Sequence, residues 1–106
     1  MTQQYRQGDV LLCRIDAIPG NATPVESTSD RVIVAEGELT GHAHGFAAAE
    51  ARLFRDEASG RLYLAIGTES AKLRHEEHAP IPVPIGNYEV LRQREYRPGK
   101  IRPVAD

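Results

Sequence analysis

The chain has 106 residues, with 13 basic and 15 acidic side chains and a formal net charge of −2. This length fits one domain over residues 1–106, and a hydrophobic fraction of 41% excludes a disordered chain. The near balance of charge argues neither for nor against nucleic acid. Cys13 is the only cysteine, so an intramolecular disulfide is excluded, and no stretch approaches the ~18 apolar residues of a membrane span. We therefore predict a cytoplasmic domain.

The first third of the chain predicts two strands separated by a loop. Residues 10–15 (VLLCRI) are aliphatic and too short for a helix, and residues 31–36 (RVIVAE) repeat this pattern. Between them, residues 16–30 are rich in Pro, Gly, Ser, Thr and Asn, a composition typical of a loop. Gly37 and Gly41 then predict turns on both sides of a short segment.

The middle of the chain predicts a β-hairpin. Residues 47–55 contain good helix formers, but the segment is short and a loop ending on glycine follows at 56–60. We therefore predict strands at 52–55 and 61–66. The second of these alternates aliphatic residues with others, as a half-buried strand does.

Residues 80–85 (PIPVPI) have proline at every second position, which only extended chain tolerates. The three missing N–H groups lie along one edge, so we predict an edge strand. Its aliphatic residues, predicted to share one face, are Ile81, Val83 and Ile85.

The last long strand is predicted at residues 88–94, with a short closing strand at 101–104. In total, seven to nine short strands with turns roughly every ten residues predict an all-β, mainly antiparallel domain, either a small β-barrel or a sandwich.

All four histidines fall into two close pairs, HAH at 42–44 and HEEH at 75–78. Neutral imidazole is the commonest protein ligand of transition metals, and residues two apart on a strand share a face. The pairing therefore predicts one site for a divalent metal ion, Zn, Fe, Ni or Mn. The predicted ligands are His42, His44, His75 and His78.

The second pair can close on one ion only if Glu76 and Glu77 form a turn, because His75 and His78 lie three residues apart. Both glutamates are alternative ligands and candidate catalytic residues, acting as a general base. Two other interpretations stay open: solvent-exposed or hydrogen-bonded histidines, and a metal-free catalytic or anion-binding cluster. Cys13 is predicted to be a core residue rather than a ligand.

The HxH pair in a glycine-flanked loop, followed about forty residues later by Pro84-Ile85-Gly86, resembles the two motifs of the cupins. Gly37 lies one residue too close to the pair and Glu50 one residue too far, and Glu89 stands at the histidine position of the second motif. The resemblance implies a small metal-binding β-barrel. The chain is also similar to short uncharacterised bacterial and phage proteins.

Two functions follow as hypotheses. The first is a metal-binding domain, as a metal-dependent enzyme acting on a small molecule or as a structural metal site. The second is a metal-free module that binds nucleic acid or an acidic protein through the basic C-terminal segment, with a homo-oligomer as a further alternative. The basic residues of that segment are Arg92, Arg94, Arg97, Lys100 and Arg102.

Overall fold

Ten β-strands and no helix form within the residues that the computed structural model describes, 3–26, 30–36 and 42–92. In chain order they are β1 Gln4–Gln7, β2 Val10–Ile15, β3 Thr23–Val25, β4 Arg31–Glu36, β5 Ala43–Ala47, β6 Ala51–Arg55, β7 Leu62–Ile66, β8 Lys72–Leu73, β9 Ile81–Pro82 and β10 Gly86–Arg92. The predicted all-β class is confirmed. Nothing in these segments is a helix long and apolar enough to cross a membrane.

The strands form three antiparallel sheets. The largest has the order β1-β2-β10-β7-β6-β3, and two-stranded sheets pair β4 with β5 and β8 with β9. The large sheet does not close on itself, so of the two predicted architectures the sandwich-like one describes the domain. β5 and β8 are in contact, which places the two small sheets side by side.

The core lies between the sheets and is mainly aliphatic, with two aromatic rings at its centre. Phe46 of β5 and Tyr88 of β10 are fully buried. The Tyr88 hydroxyl donates a hydrogen bond to the Pro84 carbonyl at 2.8 Å, so its one polar group is satisfied. Burial raises the pKa of this hydroxyl, which keeps it neutral.

The strands at 10–15 and 31–36 are confirmed at their predicted bounds, and the two hairpin strands agree to within one residue. The prediction for residues 16–30 missed β3, which pairs with β6 despite its Pro24. The predicted segments at 37–41 and 101–104, and the end of the last strand beyond Arg92, lie outside the described residues.

The proline-rich segment is only partly an edge strand. Ile81 pairs with Leu73 of β8, and Val83 is buried. The prediction of an edge strand along the whole segment is wrong, because β9 covers only Ile81–Pro82 and Ile85 is 47% exposed. The chain bends at this residue, and its carbonyl accepts a hydrogen bond from Arg14 Nη2 at 3.1 Å instead of continuing along β8.

Gly45 in the middle of β5 sets the position of the histidines. It pairs with Ile33 on one side and exchanges two backbone hydrogen bonds with Arg74 on the other, at 3.0 and 2.9 Å. A Cβ on Gly45 would lie 2.8 Å from the Val32 carbonyl oxygen, so glycine permits this approach. Because Arg74 precedes the second histidine pair, the bridge brings both pairs together.

Candidate metal centre

The four histidine rings form one contiguous group, which we call the histidine cluster. The ring centroids of His44 and His75 lie 4.2 Å apart, those of His75 and His78 4.6 Å, and those of His42 and His75 5.5 Å. The predicted approach of residues more than thirty positions apart is therefore seen, with His75 at the centre of the cluster.

The second pair converges because the chain bends at residues 76–78, as the spacing required. The Glu77 backbone N–H donates a hydrogen bond to His75 Nδ1 at 3.0 Å. A neutral imidazole has one nitrogen lone pair, and this bond uses it. A metal ion bound by either nitrogen of His75 would therefore replace this hydrogen bond.

The donor atoms of His42, His75 and Glu76 all lie within 4.8 Å of one another, and we call these residues the outer triad. Glu76 is held in place because its Oε1 accepts a hydrogen bond from the Ala43 backbone N–H at 2.9 Å. This bond holds the pKa of the Glu76 carboxyl below its usual range. Arg31 Nη1 lies 3.7 Å from the other carboxylate oxygen.

His44 lies deeper and is only 3% exposed. Its Nδ1 is 2.9 Å from Oε1 of Gln7, and the Gln7 amide donates hydrogen bonds to the carbonyls of Leu73 and Ala79, each at 2.9 Å. Those two acceptors fix the orientation of the amide. Gln7 Oε1 therefore faces His44 as an acceptor, and His44 carries a proton on Nδ1.

The other ring nitrogen of His44 faces Asp9, which is 1% exposed. His44 Nε2 lies 3.5 Å from Asp9 Oδ1. The second oxygen, Oδ2, accepts a hydrogen bond from Arg92 Nε at 2.9 Å and lies 2.8 Å from Arg92 Nη2. This charged pair holds the carboxylate against Arg92, with Oδ1 on the side of the imidazole.

Burial lowers the pKa of His44 to about 4, and the neighbouring His75 adds to the effect. Burial also lowers the pKa of His75, with His78 as the next cause. Both rings are therefore neutral at pH 7, which is the protonation state that metal binding requires.

Gly8 forms the turn between β1 and β2 and presses against two of the histidines. Its φ of +59° is in the left-handed region, and a Cβ there would lie 2.8 Å from His78 Nε2 and 3.3 Å from His44 Cε1. The turn therefore packs directly against these two rings, and glycine is the residue that fits at position 8 without displacing them.

Replacing Gly8 by Ala is expected to destabilise the protein by about 2 kcal/mol, of which about 1 kcal/mol is the left-handed backbone. Gly60→Ala is the matched control, because Gly60 has a φ of +78° and a Cβ added to it would have nothing within 4 Å. The Gly60→Ala variant should lose about 1 kcal/mol of unfolding free energy. Urea denaturation of both variants measures the difference, and equal losses would contradict close packing of His78 on the turn.

Other predicted residues lie at the rim or elsewhere. Glu77 is 65% exposed at its side chain, with Oε2 3.5 Å from His42 Nδ1. Cys13 is half-buried, burial raises the pKa of its thiol, and it belongs to no group of three potential ligands among the described residues. Arg92 binds Asp9, and the other four residues of the basic segment lie outside the described chain.

The two glutamates aligned with the cupin motifs lie outside the outer triad. Glu50 pairs with Arg74 at 3.2 Å, and Glu89 lies 3.6 Å from Arg61. The cupin resemblance stays a prediction.

Gln7 and Asp9 were not predicted from the sequence as part of the site. The available signal was their position: two polar residues flank Gly8 in a tight turn that leads into an apolar strand. Such a turn is usually exposed, so the pattern alone did not indicate burial against histidines from the other half of the chain.

No curated protein and no solved structure matches this sequence significantly. A family model does match it, over residues 6–93, which includes every residue of the histidine cluster as well as Gln7 and Asp9. The chain belongs to the family described as a domain of unknown function, DUF8820.

Proposed function

We propose that this protein binds a divalent transition-metal ion through the outer triad. The observation that carries the proposal is the grouping of two imidazoles and one carboxylate, His42, His75 and Glu76, with donor atoms within 4.8 Å. Around a tetrahedral ion with bonds of ~2.1 Å, donor atoms lie ~3.4 Å apart, so a side-chain adjustment of about 1 Å closes the site. This donor set suits Zn²⁺ and Fe²⁺ best, with Mn²⁺ and Ni²⁺ as weaker candidates.

Three protein ligands leave at least one coordination position for water or substrate. Glu77 supports a catalytic role for such an ion, because its carboxylate is exposed at the rim and lies 3.5 Å from a nitrogen of His42. A carboxylate there can accept a proton from metal-bound water. We therefore propose metal-assisted hydrolysis of a small molecule as the reaction class.

The metal-free binding module gains no support from the described residues. Arg92, the one member of the basic segment among them, has its guanidinium bound to Asp9 in two contacts and is not turned toward a partner. The module remains the alternative if no metal binds.

Metal binding is expected to raise the melting temperature of tag-free, chelator-treated protein. An ion that binds only the native state at 100 times its Kd adds about 2.7 kcal/mol, which is roughly 10 °C or more for a domain of this size. Differential scanning calorimetry with Zn²⁺, with Fe²⁺ under anaerobic conditions, and with Mn²⁺ and Ni²⁺ gives the order of preference. Equilibrium dialysis gives the amount bound.

Two adjacent glutamates provide the matched variants. Glu76→Gln keeps the acceptor for the Ala43 N–H but weakens an ion's bond to the triad, so affinity there should fall at least about tenfold, or 1.4 kcal/mol. Glu77→Gln should keep the affinity, because Glu77 lies outside the triad. Absence of bound metal after long dialysis, or equal affinity of both variants, would refute the proposal.

A further inference from the structure

Asp9 has one oxygen that its surroundings leave unsatisfied. Oδ2 accepts a hydrogen bond from Arg92 Nε and pairs with Arg92 Nη2, whereas Oδ1 is buried and has no hydrogen-bond partner among the described residues. Burying a carboxylate oxygen without a partner is unfavourable, because the oxygen loses its water and gains nothing in return. The ion pair with Arg92 is made by Oδ2, so it leaves Oδ1 without a hydrogen bond from the described residues.

On the cluster side, His44 Nε2 lies 3.5 Å from that oxygen. Gln7 fixes the ring so that Nδ1 carries the proton, and Nε2 then presents its lone pair. Two electron-pair donors therefore face each other across a short gap. They repel unless a proton or a cation lies between them.

We propose that Asp9 Oδ1 and His44 Nε2 are the ligands of an inner cation site, so that the histidine cluster holds two divalent transition-metal ions instead of one. This proposal rests on the proposed function, since the outer triad holds the other ion. The separation of these two atoms supports the proposal. Donor atoms around a tetrahedral ion with ~2.1 Å bonds lie ~3.4 Å apart, close to the observed 3.5 Å, whereas direct hydrogen bonds of this type span about 2.7–3.2 Å.

The surroundings of both ligands have the form of a supporting shell. Gln7 Oε1 accepts a hydrogen bond from His44 Nδ1, and Arg92 Nε donates one to Asp9 Oδ2. Each proposed ligand is therefore oriented by a hydrogen bond to the atom that does not face the gap. Metal-binding imidazoles usually donate their other N–H in this way.

His78 lies beside the inner pair but is not one of its ligands. Its ring stacks on that of His44 with centroids 5.9 Å apart, and its Nε2 lies over Gly8, the residue preceding Asp9. The donor atoms of Asp9, His44 and His78 do not form a group within the 4.8 Å that the outer triad meets. The protein ligands are therefore His42, His75 and Glu76 for the outer ion and Asp9 and His44 for the inner one, and water would complete the coordination of both.

The number of Zn²⁺ ions bound per chain tests the proposal. Tag-free protein dialysed against buffered Zn²⁺ and measured by elemental analysis and native mass spectrometry should hold two ions. Asp9→Asn should hold one, because an amide oxygen is a weak Zn²⁺ ligand while it still accepts from Arg92. His44→Gln should also hold one, and it covers the case in which Asp9→Asn does not fold. Asp16→Asn, which changes an exposed acid away from the cluster, should keep two.

The outcomes separate the two proposals. One ion in the wild type, lost in Glu76→Gln and retained in Asp9→Asn, means that a proton occupies the inner gap. That result overturns the inner site and leaves the outer site standing. Two ions in folded Asp9→Asn and folded His44→Gln also overturn the inner site. No ion in the wild type refutes both proposals.

Discussion

Acidifying the metal-free protein from pH 7 to pH 5 is expected to lower its free energy of unfolding by about 2 kcal/mol through His44 alone. The pKa of His44 is about 4 in the folded protein and close to the ordinary 6.5 in the unfolded chain. Between these values the unfolded chain binds the proton and the folded protein does not. Stability therefore falls as the pH falls below 6.5, and this contribution is fully lost below pH 4.

Urea denaturation in the presence of a chelator, at pH 7 and pH 5, measures the effect without a bound ion. His44→Gln should remove most of the slope, because glutamine does not titrate. His42→Gln should keep most of it, because it leaves His44 buried beneath the cluster. Equal slopes for wild type and His44→Gln would contradict the burial of a neutral imidazole at this position.

The convergence expected within each histidine pair follows from local rules. Residues two apart on a strand share a face, and residues 75 and 78 converge once the chain bends between them. The structure adds the element that joins the pairs, the backbone bridge between Gly45 and Arg74. Sequence periodicity does not specify which strands are neighbours, so that bridge could not be inferred.

The deeper half of the cluster was not predictable for the same reason. Gln7 hydrogen-bonds to His44, 37 residues away, and to Leu73, 66 residues away. Asp9 pairs with Arg92, 83 residues away. Each residue looks like ordinary turn or surface chemistry within its own segment. Only the pairing of β1 with β2, and of β2 with β10, shows that all of them meet at one end of the sheet.

The metal identity expected from sequence was broad because imidazole binds many ions. In the proposed site, the carboxylate of Glu76 is held by the Ala43 N–H. It narrows the choice of metal to ions that accept both nitrogen and oxygen ligands. The sequence left Glu76 and Glu77 as alternatives for the same roles. In the structure they differ, because Glu77 lies at the exposed rim and Glu76 belongs to the outer triad. The proposed division of Glu76 and Glu77 into metal ligand and general base therefore depends on the bend at residues 76–78.

Replacing Gln7 by Met is expected to lower the free energy of unfolding by about 3 kcal/mol or more. Methionine has nearly the same length, but it leaves the carbonyls of Leu73 and Ala79 and the His44 Nδ1–H without partners. Each unsatisfied buried group costs about 1–3 kcal/mol, partly offset by the apolar side chain. Denaturation in urea with a chelator gives the value.

Gln4→Met is the control, because Gln4 lies on the same strand but is exposed, and its change should stay within about 0.5 kcal/mol. Gln7→Glu tests the orientation of the amide. A carboxylate can still accept from His44, but it would face two carbonyl oxygens that now receive hydrogen bonds. Its stability should therefore be as low as that of Gln7→Met or lower. If Gln7→Glu were instead as stable as wild type, the amide would not be held by those carbonyls, and the assignment of the proton to His44 Nδ1 would fail with it.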